Sequence, residues 1–146
     1  MIRKYFIITI DTEGDNLWTW KEGTPLKTEN VGYLQRFQNL CNKYGFIPTW
    51  LCNWEMVNDP RFVSFADENL SAGKCGIGMH LHAWNTPPYY ELSRDDKSGL
   101  SYLTEYPEHI MREKIMTMTS IIMDKLGKRP VVHRAGRWGM NNAYFR

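Results

Sequence analysis

Residues 75–82 read Cys-Gly-Ile-Gly-Met-His-Leu-His. A short apolar run that begins with glycines and ends in polar residues is typical of a buried strand. His80 and His82 are separated by a single residue, so both imidazoles point to the same face of an extended strand. Because imidazole is the commonest protein ligand of transition metals, the pair predicts the start of a metal site where this strand ends. The alternative is a histidine pair that only packs on an edge strand.

Predicted strands and helices alternate along the rest of the chain. The strands are predicted at 5–10, 46–52, 75–82 and 131–133, and the helices at 28–44, 59–72 and 107–126. This β-α-β-α-β-α-β order implies parallel strands joined by right-handed crossovers, the architecture of the α/β class. Four parallel strands leave an exposed edge, and Asn141 or Asn142 could cap one more helix. We therefore expect a barrel-like (β/α) fold that is incomplete in this chain, with about four β/α units.

Composition and charge exclude several classes of protein. The 146 residues are enough for one domain, and 18 Lys and Arg against 16 Asp and Glu give a formal net charge of +2. Without a basic cluster, this balance argues against a nucleic-acid partner, and no stretch is long enough to span a membrane. Cys41, Cys52 and Cys75 are scattered and odd in number, which predicts buried free thiols in a reducing compartment. A cytoplasmic location is therefore expected, and the oligomeric state is left open.

Polar side chains gather where the predicted strands end. Asp11, Glu13 and Asp15 follow the first strand, and Arg134 and Arg137 follow the fourth. The carboxyl ends of parallel strands lie on one face of an α/β fold, and that face carries the functional site. We therefore expect these carboxylates and arginines to meet the histidine pair.

The residue types in this group predict metal-dependent hydrolysis. Two imidazoles and one carboxylate form a three-ligand site with an open position for water, as in catalytic zinc centres. Such a metal lowers the pKa of its water to about 7 and polarises a carbonyl, and a nearby carboxylate can take the water's proton. Of Asp11 and Glu13, one can be the base and the other a ligand, with Asp15 as a further candidate. Arg134 or Arg137 could orient the base, although a structural ion pair is the alternative reading of either arginine.

Three short motifs at these strand ends carry a resemblance to a known family. They are Thr9-Ile10-Asp11-Thr12-Glu13, Gly76-Ile77-Gly78-Met79-His80-Leu81-His82 and Arg134-Ala135-Gly136-Arg137-Trp138. Their order and spacing resemble the first three motifs of the polysaccharide deacetylase family, also called the NodB-homology or carbohydrate esterase family 4 group. The resemblance implies a NodB-type (β/α) barrel, with residues 1–146 as its amino-terminal portion. It also implies a divalent metal, often zinc, and an acetylated amino sugar or glycan as the substrate.

Carried over position by position, the resemblance implies roles for individual residues. Asp11 resembles the catalytic base, His80 the first metal histidine, and Arg134 the arginine that positions the base. Arg137, in the same motif, is included among the expected catalytic residues. Trp138 in that motif is an expected substrate-binding residue.

Two positions depart from the family's usual motifs. Thr12 stands where the usual motif has a second, metal-binding aspartate, and Trp84 stands where it has a second histidine. Glu13 and His82 are the nearest substitutes, as in a His-x-His subgroup of the family. The expected metal ligands are therefore Glu13, His80 and His82, and Trp84 becomes an expected substrate-binding residue.

Other aromatic residues could also stack on a sugar ring, although core packing is the alternative for at least half of them. The further candidates are Trp18, Trp20, Tyr89 and Tyr90. The last two lie in the segment 83–106, which lacks periodicity and could shape the substrate site or form a surface excursion.

We expect a metal-dependent carbohydrate N-acetyl deacetylase, in which metal-bound water attacks the acetamide and Asp11 takes the proton. One alternative is a hydrolase of non-glycan amide C–N bonds on the same barrel. Another is a catalytically degenerate glycan-binding or structural domain. The departures at Thr12 and Trp84 motivate this last reading, as does the lack of a match to the family's general-acid histidine after Arg137.

Overall fold

A single parallel sheet organises the computed structural model, which describes residues 3–21, 23–92 and 100–145. The strand order is β1-β2-β3-β4, and each neighbouring pair is parallel. The strands are β1 (Thr9–Thr12), β2 (Thr49–Cys52), β3 (Gly76–Leu81) and β4 (His133–Ala135). The parallel α/β fold that the alternating pattern predicts is therefore confirmed.

Helices connect successive strands. The α-helices are α1 (Val31–Lys43), α2 (Trp54–Asn58), α3 (Pro60–Ser71) and α4 (Glu108–Leu126). Asp59 caps α3 by accepting the main-chain N–H of Arg61 at 2.8 Å, and α4 ends at Gly127, which has the left-handed φ of 61° that glycine adopts without strain. The predicted helices α1, α3 and α4 are confirmed, whereas α2 was not predicted. None of the described helices has the length and hydropathy that a membrane span requires.

The first strand begins later than its apolar run predicts. Tyr5, Phe6 and Ile7 precede β1 and are between 77% and 79% exposed. The prediction of a buried strand is therefore wrong for these three residues, because pairing with β2 begins only at Thr9 and Thr49. The fourth strand is shifted in the same direction: it begins at His133, after the predicted start at 131.

The core lies between one face of the sheet and the helices. Its members include Trp50 and Ile77 from the strands, Phe62 from α3, and Met118 and Ile122 from α4. Burying a side chain of this size stabilises the fold by about 1.5–3 kcal/mol relative to leaving it exposed. The three cysteines are buried and free, as predicted.

The other face of the sheet carries the polar residues. Asp11 is in register with Leu51 and Gly78, and His80 is in register with Arg134. Since side chains alternate between faces along a strand, Asp11, His80 and Arg134 share the face opposite the core.

This polar face is concave. Strands β1 and β4 are the two edges of the sheet, and in a flat sheet they would be three strand spacings, or about 14 Å, apart. The guanidinium of Arg134 on β4 nevertheless binds both Asp11 and Thr9 on β1. The sheet must therefore curl, which brings the carboxyl ends of its outer strands together.

Candidate metal centre at the carboxyl ends of the strands

Glu13, His80 and His82 form a compact group of potential metal ligands. Each offers one ligand atom, and these atoms lie within 4.8 Å of one another. The Nε2–H of His82 donates to Oε2 of Glu13 at 2.7 Å, and Nε2 of His80 lies 3.7 Å from the same oxygen. Both imidazoles are buried, whereas Glu13 is partly exposed. The structure thus brings together the three residues predicted as metal ligands.

His80 is held in the tautomer that metal ligation requires. Its Nδ1–H donates to the main-chain carbonyl of Arg134 at 2.9 Å, which leaves the Nε2 lone pair facing Glu13. Burial lowers the pKa of His80, and the neighbouring His82 lowers it further. A neutral imidazole with its second nitrogen bound to a carbonyl is the usual state of a metal-ligating histidine.

Glu13 is the acidic member of this group of potential ligands. Burial alone would raise the pKa of Glu13, but the hydrogen bond from His82 and the attraction of both histidines outweigh it and hold this pKa below its usual value. In a tetrahedral site with bonds of about 2.0–2.1 Å, neighbouring donor atoms lie about 3.3 Å apart. The distances of 2.7 Å and 3.7 Å from Glu13 to the two histidines bracket that value. This donor set fits a small divalent cation.

Packing, more than hydrogen bonding, positions His82. Its ring centroid lies 4.4 Å from that of Trp84, 4.6 Å from that of His80 and 5.4 Å from that of Trp18. The main chain of Gly136 closes another side, because a Cβ on this residue would lie 2.7 Å from Nδ1 of His82. Within the described ranges, that Nδ1 atom is buried without a hydrogen-bond partner.

Asp11 and Arg134 meet beside this group. The guanidinium of Arg134 donates through Nη1 to Oδ1 of Asp11 and through Nη2 to the hydroxyl of Thr9. The other carboxylate oxygen of Asp11 lies 3.9 Å from Nε2 of His80. Asp11 is thus fixed through one oxygen, while its second oxygen points toward the candidate ligands.

Two other predicted residues point elsewhere. Arg137, at a left-handed φ of 54°, donates to the carbonyl of Leu100 and lies 3.9 Å from the ring of Tyr102. Asp15 accepts the main-chain N–H groups of Glu29 and Asn30 ahead of α1. The structure does not bring Arg137 or Asp15 to the carboxylate and imidazole atoms of the group.

Exposed aromatic rings flank the group on two sides. Trp18, which is 52% exposed, lies edge-on to His82, and Trp138, which is 68% exposed, lies 4.9 Å from the guanidinium of Arg134. Trp84 is only 7% exposed and packs beneath His82. Trp20 donates to the carbonyl of Thr24. Tyr89 and Tyr90 are exposed on the segment after β3, of which residues 93–99 lie outside the described part of the chain.

Lys114 is a buried residue that holds the segment after His82, and this role was not predicted from the sequence. Its ammonium donates to the carbonyls of Ala83 at 2.9 Å, Thr86 at 2.5 Å and Pro88 at 2.6 Å. Burial lowers the pKa of Lys114 to about 8. These bonds fix the chain directly after His82, so the start of this segment is anchored. The one sequence signal was a lysine within the apolar stripe of α4.

Comparison with known proteins supports the fold. No protein-family model matches the chain, and no curated protein matches it. A family 4 acetyl xylan esterase from Clostridium thermocellum, in complex with a cobalt ion, matches with 16% identity and a TM-score of 0.57 over 95% of this chain and 52% of its own. A predicted polysaccharide deacetylase from Mycobacterium smegmatis matches with 17% identity and a TM-score of 0.60 over 93% of this chain and 44% of its own.

These likenesses concern the fold, because the sequence identities are low. The chain spans about half the length of each solved structure, at 52% and 44%. Its four parallel strands and connecting helices form a half-barrel. The chain therefore has the fold of an incomplete NodB-type (β/α) barrel, as the motifs predicted.

Proposed function

We propose that this protein is a metal-dependent hydrolase that removes an N-acetyl group from an amino sugar or glycan. The observation that carries the proposal is the meeting of Glu13, His80 and His82 with the Asp11–Arg134 pair on one concave face. The two similar structures support it, since one is a family 4 acetyl xylan esterase in complex with a cobalt ion and the other is a predicted polysaccharide deacetylase. The assignment of residues 1–146 to the amino-terminal portion of one such domain stays a prediction.

Glu13, His80 and His82 would hold the metal, for which we propose Zn²⁺. When bound, such a metal would polarise the substrate carbonyl and lower the pKa of a water molecule to about 7. The residues are prepared for this role, because Glu13 is held ionised and His80 is held neutral by their surroundings. Their buried imidazoles also limit the approach of bulk water from beneath the site.

Asp11 would accept the proton of the attacking water. Its Oδ2 atom faces the ligand group, at 3.9 Å from Nε2 of His80, and its Oδ1 atom is held by Arg134. A positioned general base typically contributes a factor of about 10²–10⁴ to the rate. Arg134 would keep the carboxylate in this orientation throughout the reaction.

The aromatic residues would contact the sugar. Trp138 presents an exposed ring beside Arg134, on the rim of the concave face. Trp84 is buried and packs against His82, so it would support the site through this contact and would not stack on the sugar directly. The catalytic role of Arg137 stays a prediction. Its hydrogen bond to the carbonyl of Leu100 and its contact with the ring of Tyr102 favour a role in holding the segment around residues 100–102.

A glycan-binding domain without turnover is the second candidate function. One observation favours it: in the described part of the chain, the remaining histidines lie away from the group. His109 is exposed on α4, and His133 donates to the carbonyl of Met79 and binds Tyr144. Neither histidine is placed to protonate a leaving amine. Hydrolysis of a non-glycan amide on the same site is a substrate variant of the first proposal.

Metal titration combined with acetate release tests the proposal. We expect the parent protein and Asp11→Asn to bind one equivalent of Co²⁺ or Zn²⁺, and His80→Ala and His82→Ala to lose it. His109→Ala is the matched control. Only the parent and this control should release acetate from N-acetylated oligosaccharides.

Two results would contradict this proposal. If the parent bound no metal, or if metal binding ignored both histidines, the assigned ligand set would be wrong. If the parent bound glycans equally well with and without a chelator and released no acetate, the binding domain would be the better description. Release of acetate from simple acetamides but not from sugars would favour the non-glycan substrate.

A further inference from the structure

Glu55 is a buried carboxylate that joins the loops after three neighbouring strands. It lies in the first turn of α2, directly after β2, and is 5% exposed. Its Oε1 atom accepts the main-chain N–H of Gly14 at 2.7 Å and the side-chain amide of Asn53 at 2.6 Å. Its Oε2 atom accepts the side-chain amide of Asn85 at 2.6 Å. Residues 14, 53 and 85 follow β1, β2 and β3, respectively.

These hydrogen bonds reach the chain on both sides of the candidate ligands. Gly14 is the residue after Glu13, and Asn85 is three residues after His82. Glu55 therefore connects the segment that supplies the carboxylate ligand to the segment that supplies the imidazoles. Among the described residues, no hydrogen bond joins these two segments directly except the one between His82 and Glu13.

The main chain of Gly14 packs so closely against its surroundings that a side chain at this position would clash. A Cβ on Gly14 would lie 2.6 Å from the carbonyl oxygen of Lys27 and 2.9 Å from Cγ of Glu55. The main chain at residue 14 is thus clamped between the loop ahead of α1 and the side chain of Glu55. Because the peptide unit after Glu13 is held in this way, the direction in which the Cα–Cβ bond of Glu13 leaves the main chain is constrained with it.

We propose that Glu55 is a positioning residue that sets the separation between Glu13 and the two histidines. This inference rests on the proposed metal site. Removal of a residue that orients metal ligands through hydrogen bonds typically weakens metal affinity by about 10–100-fold. Glu55 is not among the candidate ligands; it is linked to them through Gly14 and Asn85, and its charge also interacts with His82.

Cobalt binding to Glu55 variants tests this role. We expect Glu55→Ala to bind Co²⁺ about 10–100-fold more weakly than the parent, with a changed visible absorption spectrum. Glu55→Gln should rescue part of this loss, because its amide oxygen can still accept from Gly14 while its NH₂ group opposes that of Asn85. Glu68→Ala is the control, since Glu68 is an exposed carboxylate on α3.

A second measurement works without metal. In the imidazole ¹H–¹⁵N spectrum of the metal-free protein, both Glu55 variants should shift the signals of His82 and leave those of the exposed His109 in place. Both substitutions remove the charge that interacts with His82, so the decisive quantity is the further shift of the His82 signals in Glu55→Ala beyond that in Glu55→Gln, which keeps an acceptor for Gly14. If the parent bound no Co²⁺, the proposed metal function would fail, but this difference would still decide whether Glu55 positions His82 against Glu13.

The proposal is overturned if folded Glu55→Ala keeps the parent's cobalt affinity and spectrum and its His82 signals coincide with those of Glu55→Gln. If Glu55→Ala does not fold, Glu55→Gln decides the matter. Parent-like cobalt affinity and a parent-like cobalt spectrum in Glu55→Gln would then overturn the proposal.

Discussion

The main chain of Gly136 lies against the imidazole of His82, so that a methyl group on residue 136 would fall 2.7 Å from Nδ1. The same methyl group would overlap the carbonyl oxygen of Leu81, which sits in the strand pairing opposite Ala135. Neither β3 nor β4 can move apart to make room without breaking the pairing between them. The third motif therefore needs a glycine beside the second histidine for reasons of space alone.

Gly136→Ala should displace His82. We expect a loss of about 1–3 kcal/mol in the free energy of unfolding, from overpacking, and a cobalt affinity at least about 10-fold weaker. Gly32→Ala, at the second residue of α1, is the matched control, because a Cβ on Gly32 meets nothing within 4 Å, and it should change stability by less than about 0.5 kcal/mol. Urea denaturation and metal titration measure both effects. A Gly136→Ala protein with the parent's affinity would refute the steric argument.

Arg134→Lys should separate metal binding from turnover. The main-chain carbonyl that holds His80 survives this change, so cobalt affinity should stay within about threefold of the parent. A lysine cannot hold Asp11 and Thr9 in the same forked geometry, so kcat for acetate release should fall by about 10²-fold. Steady-state kinetics give the kcat and KM values, with Arg129→Lys at an exposed position as the control. An unchanged kcat would show that Asp11 needs no arginine.

Lys114→Met should destabilise the fold strongly while keeping the side chain's length. The three carbonyls that Lys114 binds would lose their donor in a site where the residue is 1% exposed. Each unsatisfied buried group costs about 1–3 kcal/mol, so we expect a total loss of about 3 kcal/mol or more in urea denaturation. Lys125→Met, at an exposed position of the same helix, should change stability by less than about 0.5 kcal/mol. Equal effects of the two substitutions would contradict this account.

Asp59→Ala should destabilise the protein in a pH-dependent manner. The hydrogen bonds from Arg61 above all, and that from Thr28, lower the pKa of Asp59 from 3.8 to about 2. Because the pKa of Asp59 is lower in the folded protein, the carboxylate stabilises the folded state fully at pH values above its pKa in the unfolded chain. This contribution is lost as the pH falls toward the pKa of Asp59 in the folded protein. We expect a cost of about 1–2 kcal/mol near neutral pH, shrinking between about pH 4 and pH 2.

Urea denaturation across this pH range measures the Asp59 effect. Asp67→Ala, at an exposed position of α3, is the control and should show little change at any pH. A cost of Asp59→Ala that stayed constant down to pH 2 would disagree with a cap that acts through its charge.

The buried thiols should resist alkylation in the folded protein. Burial raises the pKa of Cys52 to about 12 and that of Cys75 to about 11, and it also raises the pKa of Cys41. Because the thiolate is the reactive form, a raised pKa leaves almost none of it at pH 8. Intact mass after iodoacetamide treatment should show no addition to the native protein and three additions in urea. Labelling of Cys52 in the native protein at the denatured rate would contradict the burial.

The convergence of the site residues was predictable from the sequence. Side chains alternate along a strand, so the spacing of His80 and His82 places them on one face. The parallel strand order brings Asp11, Glu13 and Arg134 to the same end of the sheet, where the strands have their carboxyl ends. The observed register, in which His80 lies opposite Arg134, agrees with that reasoning. These relations follow from local periodicity and from topology, both of which a sequence carries.

Other features depend on contacts between distant segments and could not be predicted in this way. Tyr5 to Ile7 form an apolar run, but no described element covers them, so the strand begins later. The five residues of α2 are too few to show a helical period. Glu55 was missed for a different reason: its partners Gly14 and Asn85 are 41 and 30 residues away in the sequence. Arg137 has a left-handed main-chain conformation, which cannot be predicted from the fact that it is an arginine.

The fourth strand joins the sheet through only three residue pairs, at one edge. Local opening of such a short edge needs less free energy than global unfolding. If β4 detached, His80 would lose its carbonyl acceptor, Asp11 its guanidinium and His82 its neighbouring glycine in a single event. Glu13 and the two histidines, which lie on or directly after β1 and β3, would remain on strands that β2 still joins. Loss of the candidate metal site in mild denaturant would thus precede loss of the sheet, and protection of the β4 amides from hydrogen exchange would report how long the candidate site stays assembled.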